Sequence, residues 1–311
     1  MPRNRVVDHP VILGIVGDSA AGKTTLTSGI AAILGTDRIA CICSDDYHRY
    51  GRQERAARRL TALHPECNHI DILEQHLRLL RQGQPILKPV YDHRDGTLAP
   101  PEYVAPRPYI IVEGLLGYHS RAMRDCYDVK LYLEPPEALR LKWKIQRDMA
   151  KRGYSREQVL EQIAEREADT HAYIRPQRTF ADIVVTFYPP DGHADETGAH
   201  LNVRHLLRPT LAHPDFSPIL DRGAHSGLHL ELSRDTDGRP VDLLEIHGDI
   251  ASTRAERLEE LLWSLVPEAG HLRGNVGAFD AGGRRMSHPL ALTQLLIAYH
   301  MVKAALGEHA A

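Results

Sequence analysis

The chain is short of several things, and each shortage narrows what it can do. No apolar run among its 311 residues approaches the length needed to cross a bilayer, so no membrane role is expected. Cysteine is scarce: Cys41, Cys43, Cys67 and Cys126 are the whole supply. That number suits a reduced cytoplasmic protein and not a disulfide-stapled secreted one. Cys41 and Cys43, one residue apart, are read as strand packing with thiols on opposite faces, not as a metal or redox pair. There are 19 histidines, yet no H-E-x-x-H and no paired Cys/His zinc spacing. Neither sign of charge dominates, with 38 Lys and Arg against 41 Asp and Glu and a net charge of −3. This argues against a general nucleic-acid or membrane-surface binder. No internal repeat or low-complexity segment appears. Met1 to Arg5 lead into the first apolar stretch without a signal-peptide core, again pointing to the cytoplasm.

What is present centres on Gly17-Asp18-Ser19-Ala20-Ala21-Gly22-Lys23-Thr24-Thr25, a G-x-x-x-x-G-K-T sequence. Val11 to Val16 before it are apolar and β-branched enough for a buried strand. Leu26, Ile30, Ile33 and Leu34 after it fall at helical spacing and end at Gly35. A glycine-rich turn between strand and helix aims successive backbone N–H groups at a phosphate, and the helix dipole adds positive potential. Lys23 can reach the outer phosphates of a nucleoside triphosphate, and the Thr24 hydroxyl is placed to ligate the Mg²⁺ carried by the nucleotide. The motif specifies a nucleoside triphosphate and no particular acceptor.

The rest of the chain supplies candidates for the acceptor side. Ile39–Cys43 is an expected strand ending in Ser44-Asp45-Asp46-Tyr47-His48, with Arg49 and Arg52 close behind. Strand C-termini in a parallel sheet open onto the ligand crevice. Asp45 or Asp46 could be a general base beside cations holding an anionic substrate. The competing reading is an Asp cap for the next helix in a solvated charge run. An amphipathic helix is expected from Ile72 to about Gly83 and an extended segment from Pro85 to Tyr91. A polar turn follows at Tyr91–Thr97, and Pro100-Pro101 and Pro106-Arg107-Pro108 are read as loop. Tyr109–Val112 is an expected strand closed by Glu113, the position where a second Mg²⁺-organising carboxylate falls after a phosphate loop. Val129–Leu133 is another strand. A helix then runs from after Pro136 to Gly153, with Ala138, Leu141, Ile145 and Met149 as its apolar stripe. Arg140, Lys144, Arg147 and Lys151 fall on a different face. That face is either solvated or part of a lid whose cations close over the transferring phosphoryl group. Ser155 to Gln158 reads as a capping box. Asp182–Phe187 is expected as the last strand of the nucleotide unit, with a boundary near 190. Beyond it come a strand at 201–207, a hairpin (228–232 and 241–246), and helices at 253–266 and 289–306, the latter with Leu292, Leu295, Leu296, Tyr299 and Val302 on one side.

Taken together, Gly17–Thr25, Ser44–His48, Lys88–His93, Val112–Leu115, Trp143–Gly153 and Ala172–Gln177 closely resemble the phosphoribulokinase family in its cyanobacterial and plant-like branch. Uridine kinases are the nearest relatives outside it. The resemblance implies an α/β fold of the P-loop NTPase type: a mixed sheet with helices on both faces, extended by antiparallel strands from the C-terminal region. It implies a kinase core over 1–190 with a lid at about 137–170, and a C-terminal α+β region over 191–311. The implied reaction is ATP- and Mg²⁺-dependent phosphorylation of D-ribulose 5-phosphate at its C1 hydroxyl. The implied roles are Asp45 as base, with Lys23 and Arg147 also catalytic. Gly17 to Thr25 hold the nucleotide, and Thr24 and Glu113 the metal. His48, Arg52, Tyr91, His93, Lys144, Arg147 and Arg152 bind substrate. The implied partner is a small sugar phosphate, with no nucleic acid and no membrane, and a homodimer is expected. Plant-like members carry a cysteine within the phosphate loop where this chain has Ala21, and a C-terminal cysteine pair that is missing here. No thioredoxin-type switch through those pairs is therefore expected, and a carbon-fixation role does not follow from the catalytic motifs. A kinase acting on another small substrate and a non-catalytic ATP-binding regulator are the alternatives.

Overall fold

The computed structural model describes residues 8–194, 196–219, 227–266, 277–280 and 284–307. In chain order the elements are β1 (Val11–Gly17), α1 (Lys23–Leu34), β2 (Ile39–Cys43), α2 (Arg52–Ala57), α3 (Ile70–Arg81), β3 (Ile86–Asp92), β4 (Thr97–Val104), β5 (Tyr109–Gly114) and α4 (Arg121–Arg124). They continue with β6 (Val129–Leu133), α5 (Glu137–Arg152), α6 (Arg156–Asp169), β7 (Ile183–Tyr188), β8 (Asn202–Leu207), β9 (Leu228–Arg234), β10 (Pro240–Ile246), α7 (Ser252–Ser264), β11 (Ala278–Asp280), β12 (Arg284–Met286) and α8 (His288–Ala305).

Eight strands form one sheet in the order β2-β5-β1-β6-β7-β8-β10-β9. The five from β2 to β7 are parallel, and β8, β10 and β9 extend the sheet antiparallel. Every residue of β1 is buried, as a strand covered on both faces requires. On one face Leu13 and Ile15 pack with Leu26 and Ile30 of α1 and with Leu295 and Leu296 of α8. On the other, Ile12 and Val16 join Leu73 and Leu77 of α3. This is the mixed, two-sided α/β architecture expected from the sequence.

Four local expectations need correcting. Pro100 and Pro101 lie inside β4, not in a loop. The β3–β4 ribbon stands apart as two strands with an irregularity opposite Lys88 and Val90. Proline is tolerated there because an edge strand has N–H groups without ladder partners. Cys41 and Cys43 share a face of β2, because side chains two apart in a strand point the same way. They sit opposite Ile111 and Glu113 of β5, and both are free thiols. In α5 the expected apolar stripe is not the buried face. Ala138 and Met149 are exposed, whereas Leu139, Arg140, Lys144 and Asp148 are buried. Finally, α8 is no one-sided helix: every residue from Pro289 to Val302 is buried, because it lies between α1 and α7 against the sheet.

Candidate active site

The phosphate loop is shaped by backbone that few side chains permit. Gly22 opens α1 with φ of 94° and Ala20 has φ of 67°, left-handed values that turn consecutive N–H groups toward one point. A Cβ on Gly17 would stand 2.6 Å from the Leu133 carbonyl oxygen, so only glycine lets β1 pass β6 here. Lys23 Nζ donates to the Gly17 and Asp18 carbonyls at 2.8 and 2.9 Å, which holds the ammonium over the loop. Thr24 Oγ1 donates to Glu113 Oε1 at 3.1 Å. Parallel pairing of β1 with β5, with Ile15 opposite Glu113, delivers that carboxylate to the start of α1. Burial raises the Glu113 carboxyl, opposed by Lys23 and by the Thr24 hydrogen bond.

The two candidate bases are separated by their surroundings. Asp46 is ion-paired to Lys88 and accepts from the Tyr91 amide. Asp45 accepts no hydrogen bond on its carboxylate among the described residues, and it is half-buried. It lies against Gly114, where an added Cβ would stand 3.2 Å from Asp45 Oδ1 and collide with Ser44 Oγ.

Around Asp45 the acceptor side is built by α2, the β3–β4 turn and the segment before α3. His48 is buried, and its Nδ1–H donates to Asn68 Oδ1 at 2.7 Å. Asn68 Nδ2 donates to the Ala62 and His64 carbonyls, which orients the amide and leaves His48 Nε2 as an acceptor. Burial pushes His48 down to about 4, with Asp45 opposing. The His48 ring meets Tyr91 edge-to-face at 4.6 Å, and Tyr91 meets His93 at 4.9 Å. Burial also lowers His93. Arg52 donates to the His93 carbonyl at 2.8 Å. Gly96, with φ of 81°, leaves the room that Arg52 occupies; a Cβ there would lie 2.6 Å from it.

The lid cations converge on one acid. Asp148 is fully buried and takes Lys144 at 2.8 Å, Arg147 at 2.8 Å and Arg152 at 3.4 Å. Arg147 also donates to Ser19 Oγ at 3.2 Å, and Arg140 to the Ser19 carbonyl at 3.1 Å. One face of α5 is thus tied to the phosphate loop. A neighbouring side chain, Trp143, donates to the Thr197 carbonyl at 2.8 Å.

Sequence reasoning missed several residues of this cluster. Arg55, one turn beyond Arg52, is buried, donates to the Tyr91 hydroxyl at 3.0 Å and keeps a buried Nη1 without a partner. Its helical spacing from Arg52 was the available signal. Lys88 and Asn68 act through distant partners that no local pattern reveals. Arg166 of α6 is pushed down by burial and by Arg55 and Arg152, which places another cation in the group.

A phosphate-binding loop, a hydroxyl–carboxylate pair at its edge, an uncommitted carboxylate and a tethered cationic helix define a P-loop phosphotransferase. The sequence profile of the Phosphoribulokinase / Uridine kinase family matches residues 12–191, and the chain belongs to that family. The phosphoribulokinase of Synechocystis sp. is 34% identical over 272 residues, 83% of this chain and 80% of that one. The chloroplastic phosphoribulokinase of Arabidopsis thaliana is 33% identical over 294 residues, covering 81% and 71%. A uridine kinase of Chloroflexus aggregans is 35% identical over 182 residues, covering 57% and 86%. Among solved structures, the phosphoribulokinase from Rhodobacter spheroides superposes with a TM-score of 0.58 at 20% identity over 85% of this chain and 98% of that one, which shows a shared fold.

Proposed function

We propose that the protein transfers the γ-phosphoryl group of ATP to the C1 hydroxyl of D-ribulose 5-phosphate, giving ribulose 1,5-bisphosphate and ADP. The observation that carries this reading is one uncommitted carboxylate, Asp45, set between the phosphate loop and a dense group of cations. A neutral nucleoside does not need Arg52, Arg55, Lys144 and Arg152 around it, whereas a sugar phosphate facing a polyanionic nucleotide does. The extent of likeness agrees: similarity to phosphoribulokinases runs over 83% of the chain and similarity to a uridine kinase over 57%.

In this reading Asp45 accepts the proton of the C1 hydroxyl as its oxygen attacks the γ-phosphorus and the bond to the ADP oxygen breaks. Lys23 and Arg147 neutralise charge on the transferred group and the leaving phosphate. Gly17 to Thr25 cradle the nucleotide. His48 Nε2 accepts from a sugar hydroxyl, and Tyr91 and His93 shape that wall. Arg52 and Arg152 hold the substrate phosphate, and Lys144, buried on Asp148, adds positive charge behind them. The oxygen donors of Thr24 and Glu113 suit a hard cation, so these two residues would hold Mg²⁺. Bound there, the ion would supply charge neutralisation along the phosphate chain. Residues 137–170 act as the lid over a kinase core of 1–190, and 191–311 extend the sheet. The β9 edge, unpaired among the described residues and with Leu232 79% exposed, supports a homodimer, and four free thiols support a cytoplasmic location.

ADP production with Mg²⁺ and ATP, measured across ribulose 5-phosphate, ribose 5-phosphate and uridine, tests this. Turnover confined to ribulose 5-phosphate and reduced about 10²–10⁴-fold in Asp45→Asn is expected. Turnover of uridine moves the protein to the nucleoside kinases. Tight ATP binding with no turnover of any acceptor makes it a regulator.

A further inference from the structure

A pocket of about 670 Å³ lies beside the phosphate loop, with Asp18 in its wall. Its walls come from β6, β7, β8, β9 and β10, from the start of α5, from the turn at 175–180 before β7 and from Asp18. Asp45 follows β2, at the opposite end of the sheet order, so the pocket and the acceptor cluster lie on different sides of β1. The volume is that of a small-molecule site, but the lining is unusual in carrying five arginines and four carboxylates.

Most of those charges are already matched. Arg178 is paired with Glu134 at 2.8 Å and with Asp235 at 2.8 Å, Arg140 with Glu137 at 2.5 Å, and Arg204 with Glu245 at 2.6 Å. Two groups stand out. The Asp18 carboxylate has no hydrogen-bond partner among the described residues, and burial raises its carboxyl against the pull of Arg140 and Lys23. The exposed Arg234 guanidinium donates only to the Gly238 carbonyl, at 2.8 Å, among the described residues. Arg204 also keeps a 44% exposed side chain. An occupant that satisfies this wall brings hydrogen-bond donors to Asp18 and an anion to Arg204 and Arg234.

The pocket shares two residues with the nucleotide site. Asp18 belongs to the phosphate loop itself, and Arg140 lines the pocket while donating to the Ser19 carbonyl. We propose that this pocket binds a small hydroxylated phosphate ester, with its hydroxyls on Asp18 and its phosphate on Arg204 and Arg234, and that occupancy changes nucleotide affinity through Ser19. The coupling is reciprocal: nucleotide binding alters affinity for the ester by the same factor.

Glycerol 1-phosphate titrated calorimetrically into the full chain tests this. Wild type binds two equivalents, one at the acceptor cluster and one here. Arg52→Ala loses the first, and the Arg204→Ala/Arg234→Ala double variant loses the second while keeping its melting temperature and basal turnover. In the Arg52→Ala background, where the acceptor cluster no longer takes the ester, saturating ester shifts the Kd for ADP about fivefold or more, and it does not when Arg204→Ala/Arg234→Ala is added. Inorganic phosphate, which brings no hydroxyl donors for Asp18, binds this site at least about tenfold more weakly, the loss of about 1.4 kcal/mol. A single equivalent abolished by Arg52→Ala and kept by the double variant overturns the site. An unmoved Kd for ADP overturns the coupling, and equal binding of inorganic phosphate overturns the ligand class. The ribulose 5-phosphate assay reads the acceptor site separately, so each proposal fails on its own measurement.

Discussion

Thr24 Oγ1 and Glu113 Oε1 stand 3.1 Å apart across 89 positions of sequence. The pairing is a product of strand order: β5 slots between β2 and β1, so the acid ending β5 meets the first turn of the helix that follows β1. If these oxygens hold Mg²⁺, Glu113→Gln weakens metal use without disturbing the fold. We expect a rightward shift of the Mg²⁺ activation curve and a fall in kcat of roughly two orders of magnitude, typical for losing one preorganised charge contact. A Mg²⁺ titration of initial rates decides it; an unmoved curve would refute the metal role.

Lys144 is only 2% exposed at its side chain, and its ammonium sits on Asp148. Burial pushes it down to about 8 against the pull of Asp148. A lysine loses its charge as pH rises through its pKa, so activity should decline above about pH 8. Lys144→Arg, which stays protonated, should move that limb upward in the pH–rate profile. Asp148 itself is held down near 2 by Arg147 and Lys144 despite burial. Asp148→Ala strands three cations, one of them buried, and should cost about 3–5 kcal/mol in a denaturant melt.

Three histidines are buried in neutral form. Burial takes His48 and His205 down to about 4 and His300 well below its ordinary value. Their unfolded counterparts take up protons near 6.5, so between about pH 6.5 and 4 the unfolded chain binds more protons than the native one. Stability is therefore lost as pH falls through this window, with a slope of up to about 1.4 kcal/mol per pH unit for each histidine. Urea melts from pH 7 to 4.5 check this. His205→Gln should flatten the slope by about one histidine's share, and an unchanged slope would contradict the assignment.

Gln294 of α8 inserts its amide against Gly29 of α1. It donates to the Thr25 carbonyl at 3.3 Å and accepts from the Gly277 amide at 2.8 Å. A Cβ on Gly29 would fall 2.1 Å from that amide. Gly29→Ala should destabilise by about 1–3 kcal/mol and raise the KM for ATP more than that for the acceptor, because α1 carries Lys23 and Thr24. Adding Gln294→Ala should recover part of both losses, so a double-mutant cycle with no coupling would sink the contact.

The elements that depend on short-range chemistry were readable along the chain. The β-branched run before Gly17, the helical spacing after Lys23, the Ser155–Gln158 capping box and the turn at Asp235–Gly238 all act within a few residues. The described backbone matches each of them. Choices that rest on a distant partner were not. Asp45 and Asp46 look alike in sequence, and it is Lys88 and the Tyr91 amide, 42 and 45 positions from Asp46, that set them apart by occupying one. The hydrophobic stripe of α5 suggested one buried face, yet the helix buries Lys144 and Asp148, because an ion pair at close range together with Arg147 and Arg152 offsets the desolvation that would otherwise expel them. Arg55 shares a helix face with Arg52 by spacing, but its burial depends on Tyr91, 36 positions away, which receives its guanidinium. Local backbone preference and the phosphate-loop chemistry were therefore determined by the sequence itself. Which carboxylate stays open, which helix face turns inward and which pocket forms beside the loop were decided by the tertiary structure, since burial and pairing exist only once remote segments meet.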